Sequence, residues 1–176
     1  MAKITARELR KYLEGRAHDE LVEDILRLFT KLEGVKEYYS AQLGLGFDEE
    51  LLNKHKAAVR KEFFPARGHG DGRLSVARKA VSDYKKVSNN VAGLIDLMVY
   101  YVETGVQFTS TYGDINEPFY DSMESMYGSA LKQIVANGLQ DTFYKRCRQI
   151  VTDTSGMGWG FHDALSEMFH ETFGDE

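Results

Sequence analysis

The sequence predicts an all-α protein, a single domain of about eight or nine helices that spans residues 1–176. Three observations predict this class. Apolar residues recur every three to four positions along most of the chain, no segment alternates apolar and polar residues as a half-buried strand does, and short linkers separate the helical segments. The chain is long enough to bury one core, arranged as an irregular helical bundle or as a short solenoid-like array.

The first two helices are delimited by capping residues and glycine. The first, about 5–14, begins with the capping box of Thr5 and Glu8, and the second, about 19–33, ends at Gly34. The apolar residues of the second helix share one face and are expected to be buried; they are Leu21, Val22, Ile25, Leu28, Phe29 and Leu32.

The third and fourth helices complete the N-terminal half. The third is short and carries the apolar residues Val35, Tyr38, Tyr39 and Leu43. The fourth follows Phe47, with Asp48 as its N-cap, because an aspartate side chain accepts a hydrogen bond from a free amide of the first turn. It ends before Pro65, which cannot continue a helix.

Five further helices follow a glycine-rich loop at 66–73. They are predicted at about 75–87, 90–110, 116–137, 139–153 and from 161 onward. Asn116 and Pro118 stand in the cap-then-proline order that opens a helix. The run SGMGWG before the last helix contains too much glycine to be helical, so Trp159 is expected to pack against the core from a turn.

Composition and hydropathy indicate a cytoplasmic protein that does not act on membranes. A single cysteine excludes a disulfide framework, so stability requires no oxidising compartment. The N-terminal residues have an amphipathic helical pattern without the apolar region of a signal peptide. The most apolar run, 91–102, is too short to cross a bilayer and contains Asp96.

Positive charge is concentrated in residues 54–86, which have a net charge of +7, although the whole chain has a net charge of −5. The basic residues are Lys54, Lys56, Arg60, Lys61, Arg67, Arg73, Arg78, Lys79, Lys85 and Lys86. If the helices around 48–64 and 75–87 pack antiparallel, these residues and His69 form one surface that attracts nucleic acid or another polyanion. The alternative is a solvated face that docks on an acidic protein or on the acidic part of this chain. No helix-turn-helix, zinc-finger or phosphate-loop pattern accompanies the segment.

Asp163, Glu167 and His170 have a spacing that can present three ligands to one metal ion. At 100° per residue they lie within about 60° of one another on the last helix. The apolar residues of that helix centre on the opposite side, and the second Glu-x-x-His segment of a di-iron bundle is missing from the sequence. A metal site is therefore expected only if another helix covers this face, and no cofactor is predicted.

Two further features are interpreted as structural. Cys147 shares a helical face with apolar residues, so it is expected to be buried and unreactive. Asp96, Tyr100, Glu103 and Gln107 form a polar stripe on the most apolar helix. We favour a structural role for these residues over a catalytic site: they form either the solvent-exposed edge of that helix or internal ion pairs with basic side chains.

Several stretches carry a resemblance that extends over nearly the whole chain. They include LRKYLEG, DELVEDILRLF, FFPARGHG, LSVARKAVSDYKK, YYVETGVQFTSTYGDINEPFYDSMESMYGSAL and GMGWGFHDALSEMF. Their amino-acid sequences resemble those of a family of small bacterial all-helical proteins of unknown function. The resemblance implies a bacterial, cytosolic protein of one domain, and it brings no activity or binding residue with it.

Three hypotheses on function remain open. The first is a non-enzymatic protein–protein interaction or adaptor module, whose partner is another protein or a second copy of the chain. The second is binding of nucleic acid or another polyanion through residues 54–86. The third is a metal-dependent enzyme built from the C-terminal helix together with Asp96 and Glu103.

Overall fold

Nine helices and no strand occur in the part of the chain that the computed structural model describes, residues 4–43, 47–68, 70 and 72–174. This confirms the predicted all-α fold class. The helices are α1 (Ala6–Glu14), α2 (His18–Lys31), α3 (Glu33–Gln42), α4 (Phe47–Phe63), α5 (Leu74–Val87), α6 (Val91–Tyr112), α7 (Glu117–Ala136), α8 (Gln140–Asp153) and α9 (Phe161–Phe173).

The longest helix, α6, lies at the centre of the fold. Asn90 caps its N-terminus by accepting a hydrogen bond from the Gly93 amide at 2.9 Å. The helix is apolar around most of its circumference and packs against α4, α5, α7 and α8, which agrees with the rule that such helices are interior. A solenoid repeat contacts only its sequence neighbours, so this part of the protein is an irregular bundle.

Aromatic side chains fill the centre of the bundle around Phe63, the last residue of α4. The Phe63 ring makes edge-to-face contacts with Tyr101 at 6.0 Å, Phe108 at 5.5 Å and Phe119 at 6.3 Å between ring centroids. All four side chains are buried. One residue therefore joins α4, α6 and α7 through contacts that are favourable beyond the area they bury.

The break between α2 and α3 lies at Leu32, so the prediction that Gly34 ends the second helix is wrong. Leu32 has an extended backbone, with φ −122° and ψ 113°, and Gly34 belongs to the first turn of α3. The change of direction at Leu32 allows α3 to pack against α4 and α5. The predicted N-cap Asp48 is also displaced, because α4 begins at Phe47 and Asp48 lies in its first turn, where a negative charge favours the helix dipole.

Trp159 does not pack in the core, and that prediction is wrong. Its side chain is 61% exposed, and its φ of +61° places it in the left-handed region between Gly158 and Gly160. The turn directs the indole toward Asp114, and Nε1 donates a hydrogen bond to Asp114 Oδ2 at 2.8 Å. The indole thus connects the turn before α9 to the loop before α7, and it adds little buried apolar area.

Replacing Phe63 by alanine is expected to destabilise the fold by about 3–5 kcal/mol, because it opens a cavity among three other rings. Urea unfolding followed by circular dichroism measures the loss. Phe64→Ala, at the half-buried neighbouring position, is the matched control and should cost clearly less. Equal losses for the two variants would contradict the assignment of Phe63 to the centre of the core.

Candidate functional site

The polar stripe of α6 is neutralised by basic side chains from two other helices. Arg146 of α8 forms a bidentate pair with Glu103, with both N···O distances 2.8 Å, and its Nη1 lies 2.5 Å from Asp96 Oδ1. Lys56 of α4 approaches Asp96 Oδ2 at 2.7 Å and lies over the Tyr100 ring. The expectation of internal ion pairs is confirmed, and both carboxylates serve to join α4, α6 and α8.

The protonation of Asp96 follows from the same contacts. Burial by itself would raise the pKa of this carboxyl group, but the hydrogen bonds from Lys56 and Arg146 outweigh burial and hold the pKa below its ordinary value. An ionised carboxylate held by two cations suits a structural bridge. It does not suit a general base, whose pKa must lie near the working pH.

Helices α4 and α5 are antiparallel, which is the arrangement that a common basic surface requires. Ser88, just beyond α5, donates a hydrogen bond to Asp48 at the start of α4 at 3.3 Å. At the other end, Arg73 Nε lies 2.8 Å from Glu62 Oε1. The hydrogen bonds from Arg73 also hold the pKa of Glu62 below its ordinary value.

Most of the predicted basic residues are engaged within the chain. Five pair with carboxylates: Lys54 with Glu37, Lys56 with Asp96, Arg73 with Glu62, and both Lys79 and Lys86 with Asp83. Two contact neutral groups: Arg60 donates to Gln107 at 3.1 Å, and Arg78 donates to the Ser122 hydroxyl at 2.8 Å. Only Glu37 and Asp96 among these carboxylates lie outside residues 54–86, so most of the net positive charge of the segment is not compensated by the ion pairs of the described part of the chain.

Lys61, Arg67 and Lys85 are the basic residues of this segment that have neither an ion pair nor a side-chain hydrogen bond in the described part of the chain. Lys61 and Arg67 line one shallow groove beside the α4–α5 loop. Lys85 lies in the last turn of α5, about 16 Å along the helix axis from its first residue, Leu74, at 1.5 Å per residue. His69 lies outside the described residues. The unpaired cations therefore occupy two separate places.

Asp163, Glu167 and His170 lie on the exposed side of α9. The opposite side is buried through Phe161, Leu165 and Phe169. Among the residues that the structure describes, no group of three His, Cys, Asp or Glu side chains is placed to hold a metal ion. The three polar residues share a face with the spacing that the sequence suggests, but the bundle packs against the other side of the helix.

Cys147 is fully buried on α8, as the sequence predicts. Burial raises the pKa of its thiol to about 12, so the thiolate that a nucleophile requires does not form at neutral pH. The Tyr127 hydroxyl donates to the Cys147 carbonyl oxygen at 3.1 Å, which ties α7 to α8. This cysteine is a core residue.

The N-terminal arm, residues 4–32, contradicts the expectation that the apolar face of α2 is buried. None of the residues of α1 or α2 is buried. Leu21 and Phe29 are half-buried. Nine other large apolar side chains of the arm are between 36% and 79% exposed; they are Ile4, Leu9, Tyr12, Leu13, Val22, Ile25, Leu26, Leu28 and Leu32. The reason is position, because α2 packs on α3 alone and neither α1 nor α2 makes extensive contact with α4–α9.

A polar clamp fixes the turn between α1 and α2. Arg16 contacts the Tyr12 hydroxyl on α1, and it lies 3.2 Å from both Glu20 Oε2 and Asp24 Oδ2 on α2. An apolar groove lies beside α1; its lining is Ala6, Leu9, Arg10, Leu13, Glu14 and Leu21. The arm thus presents both an amphipathic helix and a groove beside it.

Helix α1 lacks the packing that normally stabilises a helix of its length. It has nine residues, whereas isolated helices shorter than about 12–15 residues are marginal in water. The capping box is present as predicted, with the Glu8 amide 3.3 Å from Thr5 Oγ1 and the Thr5 amide 2.8 Å from Glu8 Oε2. A cap contributes only about 1 kcal/mol, so α1 gains little stability from its own length and cap.

One feature of the sequence distinguishes the N-terminal arm, namely its high density of charged residues. Twelve of the 29 residues in 4–32 are charged, compared with 28% of the whole chain. Such density is typical of helices with a wide solvated face. It does not tell whether the narrow apolar face is covered by the same chain or by another one, which explains why the burial of α2 was predicted wrongly.

These features define an all-α protein with a helical bundle, an internal ion-pair network and a projecting amphipathic arm. The chain belongs to the Family of unknown function (DUF6155), whose family model matches residues 4–173. No curated protein and no solved structure matches it. Of the helices in the described part of the chain, none has the combination of length and apolarity that crossing a membrane demands.

Replacing Arg146 by leucine is expected to destabilise the bundle by about 2 kcal/mol, below the roughly 3–5 kcal/mol of a fully buried pair, because the site is partly accessible to water. The change leaves Glu103 without its cation and Asp96 with Lys56 alone. Chemical denaturation measures the difference. Lys145→Leu, at the exposed neighbouring position of α8, is the control and should leave stability within about 0.5 kcal/mol; a similar loss in both variants would contradict the network.

Proposed function

We propose that this chain functions by binding another protein chain through the exposed apolar side chains of the N-terminal arm. The observation that carries the proposal is the mismatch between pattern and burial. Helices α1 and α2 have the one-sided apolar faces of helices that pack against a partner, yet no residue of either helix is buried within the chain.

The concentration of exposed apolar residues supports this proposal. In the described part of the chain, nine of the sixteen exposed large apolar side chains belong to the 29 residues of the arm. Single exposed apolar residues are common on protein surfaces, whereas contiguous patches are typical of interaction sites. The bundle, in contrast, has its own core and needs no second chain to cover it.

The geometry of the arm suits recognition between helices. An amphipathic helix that lies in an apolar groove is a common mode of protein recognition, and its anchors recur at i, i+3, i+4 and i+7. Ala6, Leu9 and Leu13 have this spacing on α1. They also line the groove beside α2, so one surface supplies both parts of the interaction.

A bacterial cytoplasm as the place of this interaction is part of the same proposal. The support is the resemblance of the sequence to small bacterial helical proteins and the single cysteine, which is buried and free. The proposed role is that of an adaptor or interaction module without catalysis. It is consistent with the use of Asp96, Glu103 and Cys147 in the core.

Glutamate at Leu9 and Leu26 is expected to abolish protein binding, because a charge would then have to be buried in the apolar interface. The measurement is affinity capture from a bacterial lysate with the full-length chain as bait, quantified by mass spectrometry. We expect proteins captured by the wild type to fall at least about tenfold with the double variant, as for interface anchors.

The control for this experiment is Val135→Glu, which charges an equally exposed apolar position on α7 of the bundle. It should retain the captured proteins. Capture that is identical for the wild type, the Leu9/Leu26 variant and the control would contradict binding of a different protein through the arm.

Polyanion binding through 54–86 is the second candidate, and it rests on the two unpaired cations beside the α4–α5 loop. Lys61 and Arg67 share a groove there with Arg73. If this function holds, the chain retards a nucleic-acid probe at low salt, and Lys61→Gln with Arg67→Gln removes the effect. Lys145→Gln on α8 is the control, and a probe that is not retarded by the wild type at low salt would exclude the function.

A further inference from the structure

We propose that the partner of the arm is a second copy of this chain, with α1 of each copy lying against α2 of the other in a two-fold symmetric dimer. The inference rests on the proposed function and names its partner. In such an interface the same surface is used twice, so it must be complementary to itself. The exposed area of the chain and the lengths and charges of the two helices agree with such a dimer.

The accessible area of the chain exceeds that of a compact monomer. The structure exposes 11345 Å², whereas a globular monomer of 20.0 kDa exposes about 8,700 Å². The excess is about 2,600 Å² per chain. Obligate dimers bury roughly 1,000–2,500 Å² on each subunit, so the surplus area is large enough to supply a stable dimer interface.

The lengths of the two helices allow them to pair. At 1.5 Å per residue, α1 is about 14 Å long and α2 about 21 Å long. The α1 helix of a partner copy can therefore contact α2 over the full length of α1. Two such pairs related by a two-fold axis bring four amphipathic helices together, and each apolar face then meets another as in a helical bundle.

Charge favours contact between α1 of one copy and α2 of the other copy over contact between two copies of the same helix. Helix α1 carries three cations and two carboxylates, a net charge of +1, and α2 carries four carboxylates and two cations, a net charge of −2. Arg10 of α1 and Asp19 of α2 have no ion-pair partner in the described part of the chain. Helices of opposite net charge on one surface are complementary when each meets the other type, which the two-fold arrangement provides twice.

Two of these charges border the apolar faces. Arg10 lies three residues before Leu13 on α1, and Asp19 lies three residues before Val22 on α2. Residues three apart are neighbours on a helix surface. These side chains therefore lie at the rim of the proposed interface. Charges at a rim determine which surfaces pair, and they contribute less to the affinity.

The test is the mass of the purified full-length chain in sedimentation equilibrium over a range of concentrations. We expect a dimer for the wild type and for Val135→Glu. Leu9→Glu with Leu26→Glu should raise the dimer dissociation constant at least about tenfold while the thermal unfolding of the bundle persists. A wild-type chain that is monomeric at every concentration overturns the proposal, and so does a dimer that Val135→Glu dissociates and the arm variant does not.

Exchange of charge tests the pairing of α1 with α2. One variant carries Arg10→Glu and the other carries Asp19→Lys, at the two charges that border the apolar faces. Each variant by itself brings like charges together at both contacts between α1 and α2, so it should dimerise at least about tenfold more weakly than the wild type. Mixed, they restore opposite charges at both contacts and should form a heterodimer, seen in native mass spectrometry. Equal dimerisation of all species overturns this arrangement.

Failure of this proposal is distinguishable from failure of protein binding through the arm. If the purified chain is a monomer but the lysate still yields a different protein whose capture depends on Leu9 and Leu26, only the identity of the partner is wrong. If neither experiment shows dependence on the arm, protein binding through the arm is also wrong.

Discussion

The burial of α6 on several sides is the constraint on which the rest of the structure depends. A helix surrounded by α4, α5, α7 and α8 leaves little room for polar groups, so each one it carries needs a partner from a neighbour. Asp96 and Glu103 find theirs in Lys56 and Arg146. Close approach is needed as well, because a Cβ atom at Gly105 would lie 2.3 Å from the sulfur of Met123 on α7.

The same constraint explains how the basic segment is used. Half of the ten basic side chains of residues 54–86 pair with carboxylates of the same chain. Of those carboxylates only Glu37 and Asp96 lie outside the segment, so the segment keeps a net positive charge in space as well as in the sequence. Arg73 and Glu62 close the α4–α5 connection, while Arg146 and Lys56 hold two helices against α6. The paired charges thus join helices of the bundle to one another.

The sequence predicts the bundle well because local patterns determine its elements. The capping box of Thr5, the cap at Asn116 and the burial of Cys147 follow from side-chain chemistry within one helix. The arm could not be predicted in this way, since an amphipathic face such as that of α2 has the same pattern whether its cover comes from the same chain or another. Trp159 was misplaced because its position depends on Asp114, 45 residues away.

The extended backbone at Leu32 has a consequence for how this chain can change in evolution. The arm leaves the bundle at that single residue and shares almost none of its interior. Substitutions on the exposed faces of α1 and α2 therefore leave the packing around α6 undisturbed, and substitutions in the interior leave those faces intact. The arm and the bundle are free to diverge at independent rates, so under the proposed function one stable scaffold can acquire new partners.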